Sequence, residues 1–418
     1  MRRRDFLLST PAMAINMVVP ELAIAGRDSA NALNELDDYM VDLMQQHHIP
    51  GAAAIIVNQT EILWSGAWGW SDLKNQIPMG VDRIQNIGSI SKTVVASSIM
   101  QLEEIGLLDI DADINEYLDF SIRNPDHPDI PITARQLMIH TSSLRDGSAY
   151  VDAYACGDPR LSLRAWVRAF FTPDGAFYNA SENFESWAPG EGWRYANLPF
   201  GILGLLVETV SGIPFDIYCK RNIFAPLGMR STSWMISDLD ESLFSVPYSW
   251  VEDGVVRGAS WGGVTLGRVT PEGPTRDVPQ PNGLQPNCFY NHANYPDGFL
   301  RTTVSDLSRY LRAHLNGGQF QGARILRADS VSRMYEPQDL PDDDNGERTF
   351  GLTWYALGQS ENQTLWGHGG GDPGVGTGIV SLREDGLGII FFLNTGMTGS
   401  PQPILERLVT TAKSIRKQ

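Results

Sequence analysis

Two side chains with the right types and spacing for nucleophilic chemistry lie in the stretch Ile87-Gly88-Ser89-Ile90-Ser91-Lys92-Thr93. Behind them Val94, Val95, Ile99, Met100 and Leu102 recur at helical spacing, which predicts a helix starting near Ser89. Positions three apart share a helix face, so Lys92 stands beside the Ser89 hydroxyl. A serine attacks poorly until a neighbour takes its proton, and a buried amine with a lowered pKa is such a neighbour. The helix N-terminus adds unpaired N–H groups and a positive dipole end, which favour a developing oxyanion. Gly88 removes a Cβ where a substrate meets the backbone. Alone, the spacing is a weak signal. An N-cap serine followed by a solvated lysine has the same pattern, and Ser71 and Lys74 repeat it in a polar stretch with no helix behind it.

Two further stretches carry polar groups of use to such a serine. In Trp193-Arg194-Tyr195-Ala196-Asn197, a tyrosine beside a lysine is pushed toward the phenolate and relays protons, and Asn197 offers an amide donor to a substrate carbonyl. In Trp366-Gly367-His368-Gly369-Gly370-Gly371-Asp372, consecutive glycines let a strand edge approach a ligand and present backbone N–H groups. Taken singly, these are also a tyrosine packed at a helix start and a glycine-rich turn with a structural histidine. Trp187 and Trp193 are candidates for an apolar acyl pocket, or equally for loop packing. Gly258-Ala259-Ser260-Trp261-Gly262 fits a Gly-x-Ser-x-Gly nucleophile elbow, but an elbow needs a helix after the serine, and Gly262-Gly263-Val264-Thr265-Leu266-Gly267 is a poor one.

The elements that must position these groups follow from periodicity. Residues 28–48 read as an amphipathic helix with Leu33, Leu36, Met40 and Leu43 on one stripe, ended by His47-His48 as surface or C-terminal-turn residues. Residues 52–57 and 62–68 read as a hairpin. Residues 102–108 complete the helix behind Ser89, and residues 134–139, 163–171 and 198–210 are further helices. Residues 240–298, rich in Gly, Pro, Trp and Asn without a strong period, read as a loop-rich cap. Residues 350–355, 363–366, 376–382 and 387–393 are strand-like and 403–415 a closing helix. Strands at both ends with helices between predict an α/β (α+β) fold. Its antiparallel sheet is flanked by N- and C-terminal helices and interrupted by a large, mostly helical insertion. The sheet part takes about residues 26–88 and 330–418, the helical and loop-rich part about 89–329. Asp342-Asp343-Asp344 reads as a solvated turn.

With 418 residues the chain can bury a large core, and its net charge of −17 argues against nucleic acid and anionic membrane surfaces. Arg2-Arg3-Arg4, an apolar stretch and Ala23-Ile24-Ala25 read as an export signal of twin-arginine type, with cleavage expected after Ala25 and a periplasmic destination. Removing residues 1–25 takes away three Arg, Asp5 and Glu21, a net +1, so −17 becomes −18. No other stretch is long and apolar enough to span a bilayer. Of three cysteines, Cys156 and Cys288 sit in expected loops and are able to pair, while Cys219 reads as a buried thiol.

Taken in order, Ser89-x-x-Lys92, Tyr195-x-Asn197 and His368-Gly369-Gly370 resemble the three motifs of the serine β-lactamase and penicillin-binding-protein superfamily. The branch most similar is that of the class C β-lactamases, which includes D,D-carboxypeptidases, D-aminopeptidases and family VIII esterases. Residues 137–144 and the stretch Asp297-Gly298-Phe299-Leu300-Arg301-Thr302-Thr303 with Asp306-Leu307 match as well, and the resemblance runs from about residue 30 to 415. It implies that Ser89 is acylated, that Lys92 and Tyr195 share base and acid duty in an order left open, and that Asn197 holds the acyl carbonyl or amide side. It implies an oxyanion hole from the N–H groups of Ser89 and Gly371, with His368 and Gly370 on the strand beside it. No metal or cofactor is implied.

The third motif departs from the family. Lys-Thr-Gly or His-Thr-Gly is usual there; here the lysine charge and the threonine hydroxyl, which would bind a substrate carboxylate, are both lost. The departure favours small neutral esters or amides, as in the esterase branch, unless a protonated His368 substitutes. The rival readings are a β-lactamase or D-amino-acid peptidase, and a catalytically silent binding protein, which would have no need of Ser89, Lys92 and Tyr195 together. Acyl group, leaving group and oligomeric state are not readable from the sequence.

Overall fold

The computed structural model describes residues 27–258, 260–261, 264–265, 267–275, 278–341, 348–361, 363–397 and 400–416. The expected export signal, Asp342-Asp343-Asp344 and the side chain of Ser260 lie outside what is described. Elements named here are numbered in chain order. They begin with α1 (Arg27–Gln46), β1 (Gly51–Asn58), β2 (Ile62–Asp72), β3 (Ile77–Pro78) and α2 (Ser91–Glu104). The middle of the chain adds α3 (Ala134–Met138), α4 (Leu163–Phe171), α5 (Leu198–Ser211), β4 (Tyr248–Glu252), β5 (Val255–Arg257), β6 (Gly283–Pro286) and α6 (Val304–Leu315). The tail supplies β7 (Tyr355–Ser360), β8 (Gln363–Asp372), β9 (Val375–Leu382), β10 (Leu387–Leu393) and α7 (Gln402–Arg416).

Both ends of the chain build one antiparallel seven-stranded sheet in the order β7-β8-β9-β10-β1-β2-β3, as expected from strands at both termini. Strand β1 lies between β10 and β2, with Ile55 opposite Ile390 and Ser65. Side chains alternate between the faces. Ala52, Ala54 and Ile56 join Leu36, Met40, Ile404 and Leu408 of the two terminal helices on the outer face. Ala53, Ile55 and Val57 join Val94, Val95 and Ile99 of α2 on the inner face. A strand buried on both sides has no polar alternation, which is why residues 52–57 read as one apolar run.

Several boundaries differ from the sequence reading. Behind Ser89 a short 3-10 turn (Gly88–Ile90) precedes α2, and α2 stops at Glu104, with Gly106 in left-handed conformation (φ 72°). The strand expected over 350–355 starts only at Tyr355, because Thr353 at φ 75° turns the chain and Phe350 bridges back to Tyr355. The region 240–298 is not simply loop: β4, β5 and β6 form a three-stranded sheet in the order β6-β4-β5, from strands too short to show a period. Ser260–Trp261 is a strand paired with the strand Val264–Thr265, so no elbow helix follows Ser260. Cys156 and Cys288 form a disulfide, and Cys219 is a buried free thiol. No single helix among the described residues is long and apolar enough to cross a membrane.

Candidate active site

The site forms where the start of α2 meets the open edge of β8. Strand β7 pairs with β8 only as far as Tyr355 opposite Gly367, whereas β9 pairs with it through Asp372. The stretch His368–Asp372 therefore has a free side. Gly369 donates its N–H across that side to Tyr355 Oη at 2.9 Å, and Gly371, two residues on, presents its N–H in the same direction. Gly88 (φ 53°) lets the two segments meet, since a Cβ there would lie 2.8 Å from Gly371 N. Gly370 is held against the same segment: Thr377 Oγ1 donates to Ile87 O at 2.8 Å, and a Cβ on Gly370 would lie 2.1 Å from that carbonyl oxygen.

Lys92 is fully buried and its ammonium makes three hydrogen bonds: to Ser89 Oγ at 2.9 Å, Asn197 Oδ1 at 2.8 Å and the Asp297 carbonyl at 2.7 Å. Burial pushes its pKa down to about 8, against the opposing pull of Asp297, Asp146 and Asp372. Tyr195 presents its ring 5.2 Å from Lys92 Nζ, and its phenol lies within the electrostatic reach of the Ser89 side chain. Burial raises its pKa above the ordinary tyrosine value, more than the Ser89 contact lowers it. Tyr195 is therefore a neutral phenol here and not the phenolate-leaning group expected from its lysine neighbour.

Asn197 opens α5, and its side-chain oxygen is committed to Lys92. Its Nδ2 donates to Asp146 Oδ2 at 2.9 Å, leaving one amide hydrogen for a substrate. Asp146 also accepts the backbone N–H groups of Asn197 and Leu198 at 2.8 Å, so one carboxylate caps the helix and fixes the amide. Asp297 sends its carbonyl to Lys92 while its carboxyl receives the Tyr150 hydroxyl; burial pushes that carboxyl up to about 7. The sequence reading assigned neither acid a role. Asp146 lies in an aperiodic loop, and the carbonyl of Asp297 is a backbone group that no side-chain pattern reveals.

His368 is buried. Its Nδ1 lies 2.6 Å from the Gly369 carbonyl, which can only accept, so Nδ1 carries a hydrogen, and in the neutral ring Nε2 keeps a lone pair. Burial, then the Lys92 charge, push its pKa down to about 3. The protonated His368 considered from the sequence as a substitute for lysine is thereby corrected: the imidazole is neutral. Trp193, Phe350 and Tyr355 line the cleft of about 1380 Å³ above these groups, together with His368, Gly370 and Gly371. Trp187 is not among its lining residues and packs over Gly192. Among the described residues no cluster of His, Cys, Asp or Glu is arranged to hold a metal ion.

The chain is similar to several known proteins. The esterase EstB of Burkholderia gladioli is 30% identical over 224 residues, covering 53% of this chain and 56% of that protein. The match thus spans little more than half of EstB. Penicillin-binding protein 4* of Bacillus subtilis (strain 168) is 25% identical over 367 residues, covering 87% of this chain and 72% of that protein. Among solved structures, the D-amino acid amidase of Ochrobactrum anthropi SV3 superposes with a TM-score of 0.69 at 19% identity, covering 93% of this chain and 99% of that one. A class C β-lactamase superposes at 0.67 and 17% identity, covering 94% and 98%. Such identities show a shared fold. The Beta-lactamase family profile matches residues 36–410, from α1 to the closing helix and across all three motifs, and the chain belongs to that family, within the serine β-lactamase and penicillin-binding-protein superfamily.

Proposed function

We propose that this protein is an exported serine hydrolase that cleaves small neutral esters or amides through an acyl-enzyme on Ser89. The reading is carried by His368: buried, uncharged and bonded to its neighbouring carbonyl, it brings no positive charge to the place where a substrate carboxylate would be held. EstB, the relative named an esterase, points the same way. Export is supported by the Arg2-Arg3-Arg4 leader and by the disulfide, a bond favoured in oxidising compartments.

The proposed sequence of events uses only this chain's groups. Lys92, with its pKa near 8, takes the Ser89 proton as Oγ attacks the carbonyl carbon. The carbonyl oxygen becomes an oxyanion facing the N–H groups of Ser89 and Gly371. As the tetrahedral adduct collapses, Tyr195 gives its proton to the leaving oxygen or nitrogen and recovers one from the Lys92 ammonium. Water then attacks the acyl-enzyme, with proton transfers through the same pair. Asn197 keeps Lys92 aimed at Ser89 and offers its remaining amide hydrogen to the substrate.

A second reading, a β-lactamase or D-amino-acid peptidase, draws on Arg348, whose guanidinium lies 3.9 Å over the Trp193 ring at the cleft wall and carries the charge a carboxylate would seek. Parallel hydrolysis of 4-nitrophenyl butyrate and a chromogenic cephalosporin, with Ser89→Ala as the blank, separates the two. Fast ester and negligible lactam turnover is expected. Efficient lactam turnover would replace the neutral-substrate reading with the second.

A further inference from the structure

The third motif lacks a side-chain hydroxyl at Gly369, yet a hydroxyl is present at that place. Tyr355, from the neighbouring strand β7, reaches past the last β7–β8 pair and sets its Oη 2.9 Å from Gly369 N. A Cβ built on Gly369 would lie 3.3 Å from that same oxygen, with no other atom of the described residues outside its chain neighbours within 4 Å. The phenol thus fills the space that a residue with a side chain at position 369 would occupy. Its ring is fixed on two sides, stacked on Phe350 at 5.0 Å and 19° and edge-on to His368 at 4.9 Å and 72°. The oxygen accepts the Gly369 N–H, so its own hydrogen is free to turn toward the cleft that Tyr355 lines. Burial holds the phenol at a pKa pushed up to about 12, so the donor is neutral throughout the working pH range.

We propose that Tyr355 is a specificity-determining hydrogen-bond donor, replacing in trans the hydroxyl missing at position 369 and selecting substrates whose leaving group carries a neutral acceptor such as an amide carbonyl. Tyr355 lines the same cleft as Tyr195, which in the proposed mechanism protonates the leaving group, so its hydroxyl faces the cleft through which the leaving group departs. The lysine charge lost from the third motif has no such replacement at His368. A neutral donor beside a neutral imidazole suits a neutral acceptor and by itself gives a carboxylate little return for its desolvation. The apolar wall of Trp193, Phe350 and Tyr355 is suited to the alkyl or aromatic part of the same leaving group.

This inference rests on the ester and amide reading above, and the test keeps the two apart. Two butyrate esters of equal size are compared by pH-stat: that of N-methylglycolamide, which carries an amide carbonyl, and that of 2-methylbutan-1-ol, which does not. The ratio of their kcat/KM values is measured in the wild type, in Tyr355→Phe and in Tyr355→Phe combined with Gly369→Ser. Loss of one neutral hydrogen bond lowers the ratio by about three- to tenfold in Tyr355→Phe. The serine hydroxyl, entering space the phenol oxygen has vacated, returns it to within about twofold of the wild type. A purely structural role would slow both esters alike and gain nothing from the serine. An unchanged ratio in Tyr355→Phe, or a lowered ratio that Gly369→Ser does not restore, overturns the inference while wild-type ester turnover leaves the broader reading standing. A wild type inert to both esters removes both.

Discussion

Gly88 and Gly371 approach so closely that a single Cβ on the first would sit 2.8 Å from the backbone nitrogen of the second. The contact ties the segment of the proposed nucleophile to the strand edge that presents the proposed second oxyanion donor. Gly88 also adopts φ 53°, where an L side chain is strained. Gly88→Ala is therefore expected to cost about 1–3 kcal/mol of stability. By displacing one oxyanion donor it should also lower kcat by on the order of 100-fold. Urea unfolding alongside ester kinetics checks both effects; a variant with wild-type kcat would show that the approach of these glycines is not needed for catalysis.

In the proposed mechanism Lys92 sets the pH dependence. A lysine whose pKa has fallen to about 8 becomes a usable base as pH rises through that value, so kcat/KM should climb between pH 7 and 9 and level off above. The Asp297 carboxylate opposes the downward shift, so Asp297→Asn, which keeps the backbone carbonyl bonded to Lys92, moves the midpoint to lower pH. A pH profile flat from 6 to 9 in the wild type would rule out Lys92 as the titrating base.

Asp146 holds three donors, the N–H groups of Asn197 and Leu198 and the Asn197 amide. Asp146→Ala should lose about 1–2 kcal/mol, as for removal of a helix cap. It should also slow acylation roughly 10- to 100-fold by freeing the Asn197 side chain that aims Lys92. Stopped-flow acylation and thermal unfolding measure the two effects separately. Asp146→Asn, which keeps an acceptor oxygen, should recover part of the stability.

The Cys156–Cys288 disulfide spans 132 residues of chain. Cys156 lies two residues beyond Tyr154, whose hydroxyl donates to Asp372 Oδ1 at 2.9 Å at the end of β8. Replacing both cysteines with alanine should lower stability by about 2–4 kcal/mol. It should also depress activity more than an equally destabilising core substitution such as Ile404→Val combined with Leu408→Ala on the outer face of the sheet. Equal activity in the two variants would confine the disulfide to a role in stability.

Much of the frame was legible in the sequence because it rests on local patterns. The helix Leu163–Phe171 and the strand Leu387–Leu393 have the bounds their apolar periodicity predicted, and α1 buries the stripe read from Leu33, Leu36, Met40 and Leu43. The i, i+3 spacing put Lys92 beside Ser89 even though the serine itself sits in a 3-10 turn. What escaped was tertiary. Asp146 and Tyr355 reach the site from a loop and from an adjacent strand, and Thr353 at φ 75° delays that strand in a way no propensity announces. The charge of His368 depends on burial by distant segments, so its neutrality was invisible from the motif. The short strands β4 to β6 are below the length at which alternation can be seen.

Labelling with a fluorophosphonate, followed by peptide mass mapping in the wild type, Ser89→Ala and Ser260→Ala, tests the central claim most directly. The account predicts one adduct per chain, on the peptide bearing Ser89, absent in Ser89→Ala and retained in Ser260→Ala. An adduct on Ser260, or labelling that survives Ser89→Ala, would contradict it.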